Sequence, residues 1–183
     1  KAMKIKTLAF VVTSALALSS TAALAASTAN GGTVHFTGEI TNGTCAVSAN
    51  SGNQTVKLGQ AKATSLAAAG KVSNQTAFNI DLIDCDTTVA ATAAVAFSGP
   101  ATAAGDALSV SSITTPGVAA TNVGIQILDQ NNAVIKPNSG VPGAAKNIDN
   151  STVTLPFTAQ FISYGSATAG AADADAQFTV YYN

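Results

Sequence analysis

Reactive side chains are scarce in this chain. Its 183 residues include two cysteines, Cys45 and Cys85, and a single histidine, His35. Two aspartate pairs could be drawn as a catalytic or calcium pair: Asp84 with Asp86, on either side of Cys85, and Asp173 with Asp175 near the C-terminus. Acid–base and nucleophilic chemistry needs a base within reach of a nucleophile, usually His with Ser or Cys, or two carboxylates acting together. His35 stands between Val34 and Phe36 in an alternating stretch and points the other way from both, so it reads as a solvent-facing or interface histidine. Neither aspartate pair sits inside a ligand-spaced calcium motif, and strand ends and turns account for them. No catalytic, cofactor-binding or metal-binding residue is assigned, and the chain is read as a non-enzyme. All eight basic residues are Lys, there is no Trp, and the formal net charge is −1. Without arginine forks or a basic face, nucleic acid and phosphate ligands fall away as partners.

The cysteines acquire a meaning from the N-terminus. Lys4 and Lys6 follow Met3, an uncharged apolar run extends from Leu8 to Leu18, and Ala23-Leu24-Ala25 closes the segment after a small polar stretch. That is the order of a secretory signal, with cleavage between Ala25 and Ala26 and with Lys1 and Ala2 extraneous to it. The apolar run is well short of the roughly 20 residues that span a bilayer. Removing 25 of 183 residues leaves 158; three of the eight lysines go with them, leaving five against nine acids, a formal charge of −4. In an oxidising compartment Cys45 and Cys85 are free to bond, closing a loop that restricts the unfolded chain by about 4 kcal/mol in the entropic account. The competing readings are two free thiols or half of a metal site; a zinc site needs four ligands, which His35 cannot complete.

What must position these residues is a set of strands. Val34, Phe36, Gly38 and Ile40 alternate with polar neighbours, as do Phe78, Ile80 and Leu82; Ala93, Val95 and Phe97 form another alternation, and Val123, Ile125 and Ile127 a fourth. A period of two is the mark of a half-buried strand. Asp129 to Asn132 reads as a turn into Val134-Ile135. Val153, Leu155, Phe157, Ala159 and Phe161 form a longer stripe in which Pro156 implies an edge position or a bulge, and Phe178, Val180 and Tyr182 end the chain. Ala61 to Ala69, closed by Gly70, reads as a single helical turn or a loop. Many short strands between Gly, Asn, Ser and Pro clusters predict one antiparallel sandwich domain.

Two ends of this sandwich do not match. The last strand, Gln177 to Tyr182, has nothing after it to cover its edge, and a long open edge is a hazard that proteins normally blunt. At the other end an alternating segment precedes Cys45, led by the flexible Asn30-Gly31-Gly32. A surplus strand and a missing strand invite a head-to-tail contact, which does not close and so builds filaments.

The run Asn30 to Ile40, Thr44-Cys45-Ala46-Val47, Phe78 to Asp86, Thr121 to Leu128 and the ending Ala172 to Asn183 together resemble the major subunits of type 1 fimbriae, a family of chaperone-usher pilins of Gram-negative bacteria. The resemblance spans essentially the whole chain. It implies an all-β, incomplete immunoglobulin-like sandwich lacking its last strand, with residues 26–44 as a donor-strand extension and 45–183 as the pilin domain. It implies a periplasmic chaperone that lends a strand, an outer-membrane usher, identical subunits in a head-to-tail polymer, minor tip subunits, and export through the periplasm to a surface fimbria used in adhesion. Carried over by position, Asn30, Gly32, Val34, Phe36 and Gly38 are the donor residues. Gly170, Phe178, Val180 and Tyr182 are the C-terminal groove and chaperone-pairing residues, and Cys45 with Cys85 is the family disulfide. Rival readings are a minor adaptor or terminating subunit, or a self-complemented secreted binding module. A tip adhesin would need a second domain for which 158 residues leave no room, and a terminating subunit would lack the donor pattern at Gly32 to Gly38.

Overall fold

The computed structural model describes residues 31–40, 43–113 and 117–183. The chain divides into two units, Lys1–Glu39 and Ile40–Asn183. The expected signal segment, its cleavage residues Ala25 and Ala26, and Asn30 lie outside the described residues.

Among the described residues of the second unit, nine strands form two sheets. They are β1 (Ala46–Val47), β2 (Thr76–Ile83), β3 (Thr92–Ser98), β4 (Leu108–Ser109), β5 (Val123–Leu128), β6 (Val134–Ile135), β7 (Lys146–Asn147), β8 (Val153–Ser163) and β9 (Gln177–Tyr182). The larger sheet runs β1-β2-β8-β5-β4 with β6 also on β5, and the smaller runs β7-β3-β9. All strand pairs are antiparallel. The alternating residues read from the sequence supply the inner faces: Ile80 and Leu82 from β2, Val95 and Phe97 from β3, Ile125 and Ile127 from β5, and Leu155, Phe157 and Phe161 from β8 are all buried. Four phenylalanines stitch the two sheets together. Phe97 of the small sheet packs edge-on against Phe157 of the large one at 5.3 Å between ring centroids, with Phe78 5.5 Å from Phe157 and Phe178 6.5 Å from Phe97; such pairs add about 0.5–1.5 kcal/mol each beyond area burial.

Several expectations are corrected. Residues 31–40, expected to include a strand, carry no secondary structure; a strand is held by its ladder partner, and among the described residues this segment is in no ladder. β3 and β5 are buried on both faces, including Ala94, Ala96, Gln126 and Leu128; period-two patterning reports one face only. A short α-helix, Ala49–Gly52, was not anticipated, whereas the single helical turn read within Ala61 to Ala69 is present as the 3-10 helix Ala63–Leu66. Pro156 lies in β8, which is interior to its sheet, yet it pairs only with Asn79 of β2, since the β5 ladder begins at Thr158. The strand is locally an edge at that residue, so the missing N–H costs the β5 ladder nothing.

A strand-acceptor edge

β9 is the last strand of its sheet, paired with β3 on one side and with no strand on the other among the described residues. Which backbone groups face the open side follows from the ladder. Thr92 and Asn183 exchange both bonds, N–H to O at 2.8 and 3.1 Å. In an antiparallel pair such doubly bonded pairs alternate with unbonded ones. Counting along the register from that pair, Tyr181, Thr179 and Gln177 bond to β3, while Tyr182, Val180 and Phe178, opposite Ala93, Val95 and Phe97, aim their N–H and C=O groups away from β3. Partners seen on the far side of β3 agree: the Val95 and Phe97 carbonyls accept from Gly143 and Asn138.

Side chains follow the same parity. Phe178, Val180 and Tyr182 are half-buried against the core while Gln177, Thr179 and Tyr181 are exposed. The open edge therefore offers main-chain donors and acceptors and apolar side chains on the same three residues. Phe78, Leu58 and Val47 are likewise only half-buried against the core, so part of the sandwich interior reaches the surface. Tyr182 Oη donates to the Cys45 carbonyl at 3.3 Å, and burial raises the phenol's pKa, a shift that the Cys45 bond opposes. Cys45 and Cys85 form a disulfide, which ties the start of β1 to the residues just after β2.

Gly170 is a correction: it is not on the C-terminal strand. A Cβ there would meet the Val118 carbonyl oxygen at 2.5 Å and the Ala120 nitrogen at 2.6 Å, beside the parallel bridge of Ala119 with Ala171. Its lack of a side chain serves that backbone crossing. Gly32, Val34, Phe36 and Gly38 lie in residues 31–40 and are exposed, Phe36 at 91%. Phe78, Leu58 and Val47 were missed as site residues; alternation marks Phe78 as inward-facing, but its half-burial depends on a strand order that the sequence does not display.

Among the described residues no group of three or more His, Cys, Asp or Glu is arranged to hold a metal, and no helix is long and apolar enough to cross a membrane. Two surface depressions stand out, of about 310 and 480 Å³. The larger includes Asp129, whose two carboxylate oxygens are taken by backbone N–H groups.

Residues 34–183 match the model of the family described as "Fimbrial protein". The chain belongs to that family. This fimbrial protein is 52% identical over 181 residues to the type-1 fimbrial protein A chain of Escherichia coli K12, covering 98% of this chain and all of the relative. It is 52% identical over 185 residues to the fimbrial subunit type 1 of Klebsiella pneumoniae, with 98% and 100% covered. Among solved structures it is similar to the P pilus rod subunit PapA, with a TM-score of 0.64, 25% identity, and 77% of this chain and 100% of that one covered. A subunit in the structure of a chaperone-usher pilus matches with a TM-score of 0.67 and 26% identity, covering 84% and 96%. The fold of the fimbrial protein is thus the two-sheet pilin sandwich, with β9 at the edge of the smaller sheet.

Proposed function

We propose that this fimbrial protein is the structural subunit that polymerises by donor-strand exchange into the rod of a surface fimbria used in adhesion. The observation that carries the reading is the open edge of β9, where Phe178, Val180 and Tyr182 present both backbone groups and inward side chains. An extended segment added to an exposed sheet edge gains main-chain bonds from the ladder and specificity from alternate side chains, a mode for which chaperone–pilin complexes are a known example. Directly opposed residues in an antiparallel pair share a face. The inward residues of an incoming strand therefore stand opposite Phe178, Val180 and Tyr182, in pairs that exchange both hydrogen bonds.

Gly32, Val34, Phe36 and Gly38 of a second copy supply that parity. Glycine lets the incoming backbone approach closely, and Val34 and Phe36 bring apolar bulk to the half-buried phenylalanines and valine. Before assembly the same edge is the place for a periplasmic chaperone's strand, released when the subunit is added at the outer-membrane usher. Residues 1–25 direct export, and Cys45–Cys85 forms on the oxidising side of the inner membrane.

The test is polymerisation of the mature chain beginning at Ala26, followed as ladders on unboiled gels and as rods by electron microscopy. Deleting residues 26–38 abolishes both while leaving the sandwich folded by circular dichroism. Ladders unchanged by the deletion would overturn the assignment.

A further inference from the structure

The smaller sheet has a second edge, and it is closed in a different way. On the side of β3 away from β9, β7 pairs only with Thr92 and Ala93. Beyond that point the segment from Asn138 to Gly143 takes over: Gly143 N–H donates to Val95 O at 2.9 Å and Asn138 N–H donates to Phe97 O at 3.0 Å. The Asn138 side chain completes the row. Its Oδ1 accepts the Gly99 N–H at 3.1 Å and its Nδ2 donates to the Gly99 carbonyl at 2.8 Å. One amide thus gives Gly99 both bonds that a facing strand residue would give in a doubly bonded antiparallel pair. Asn138 holds φ at 62°, a left-handed conformation that Asn adopts far more readily than most residues with a side chain.

We propose that Asn138 is an edge plug that restricts strand addition to β9. The proposal rests on the strand-addition reading of β9 and extends it to the choice of edge. A sheet with two receptive edges would take two donors, and its polymer would branch or pair side to side. With the β3 edge filled by the 138–143 segment and sealed at Gly99 by the amide, one subunit accepts one strand and the chain grows linearly. The receptive and closed edges are the two sides of the same β3–β9 pair; the main chain of β7 and of residues 138–143 covers the β3 side as far as Phe97, and the Asn138 amide covers its end at Gly99.

Asn138→Gly tests this, because glycine keeps the left-handed backbone and removes only the two amide bonds. The full mature chain, wild type or variant at residue 138, carries Val34→Asp and Phe36→Asp in both cases so that its own extension does not occupy β9 of another copy, and is mixed with a synthetic peptide of residues 31–40 of the unaltered sequence. Bound copies are counted by native mass spectrometry, and amide exchange is mapped by segment. Wild type is expected to take one peptide, with new protection confined to residues 177–182. The variant is expected to take up to two, with added protection at residues 95–99. A folded variant that stays at one peptide with no change at 95–99 overturns the plug, as does wild type already protected there by peptide. If wild type gains nothing at 177–182, the β9 reading fails, while a gain at 95–99 in the variant alone still upholds the plug. Should Asn138→Gly not fold, Asn138→Asp keeps the acceptor for the Gly99 N–H, loses the donor to its carbonyl, and is read by the same outcomes.

Discussion

The phenol of Tyr182, on the last strand of the small sheet, donates to the main-chain carbonyl of Cys45 at the start of the large one. This bond joins β9, which has no strand on its far side among the described residues, to the large sheet, and one of its ends is anchored by the disulfide. Replacing Tyr182 with Phe keeps the ring against the core and removes the bond. The expected loss is about 0.5–1.5 kcal/mol, the usual net worth of one hydrogen bond, read as a lower urea midpoint with an unchanged slope.

A second phenol sets behaviour at high pH. Tyr164 Oη donates to Asp106 and accepts from Thr102 Oγ1, while the other Asp106 oxygen accepts from Gln126, whose carbonyl accepts from Gln160. Burial, reinforced by the Asp106 bond, pushes the Tyr164 pKa up from 10.0 to about 12. Because the native state holds this proton more tightly than the unfolded one, the contribution is complete below pH 10 and disappears as pH rises toward about 12. Urea midpoints are expected to fall across that window in wild type and to fall less in Tyr164→Phe. An identical alkaline profile in the two proteins would remove Tyr164 from the account.

How much of this was legible beforehand depended on what alternation can carry. β2, β5, β8 and β9 were readable because Ile80, Ile125, Phe157 and Val180 each sit in a period-two stripe. The same stripe gave a strand at Val34 to Ile40, where the structure has none; alternation records the face a segment buries when partnered, and says nothing of whether the partner is in the same chain. Two-sided burial at Ala94, Ala96 and Leu128 was not read, because a period-two stripe marks one face of a strand and is silent on the other. Gly170 was grouped with β9 by its distance from the C-terminus, whereas the backbone of residues 118–120 explains it. Asn138 lay in a Pro-Asn-Ser-Gly run that reads as an ordinary turn, and only the strand order shows that its amide faces the end of β3.

Asp129 makes the acid counterpart. It is 6% exposed, and its carboxylate accepts three backbone N–H groups, from Asn131, Ala133 and Ala144, each at 2.9 Å. Burial raises its pKa, but the three donors outweigh that and hold it below the ordinary 3.8. A carboxyl depressed in the native state stabilises above its unfolded pKa, and that stability is lost as pH falls through the folded value. Asp129→Asn replaces one acceptor oxygen with a donor facing a backbone N–H. It is expected to cost about 1–3 kcal/mol at neutral pH and to flatten the decline in urea midpoint below pH 4. Gln130 to Ala145 should also exchange faster, since the carboxylate joins the β5–β6 turn to Ala144.

The parity of the extension gives the sharpest test of how copies join. If the inward residues of the donor face Phe178, Val180 and Tyr182, then Val34 and Phe36 enter the acceptor sandwich, while Thr33, His35 and Thr37 stay outside it. A charge on an inward position must be desolvated beside apolar side chains, at several kcal/mol without a partner; the same charge one residue away remains in water. Val34→Asp and Phe36→Asp are therefore expected to abolish ladders, and Thr33→Asp and Thr37→Asp to leave them close to wild type. A one-residue slip cannot rescue the first pair, because it would turn every apolar side chain outward and bring Thr and His inward. The opposite pattern would show that the donor enters on the other parity. Equal loss in all four variants would mean that the segment is not read as a strand at all.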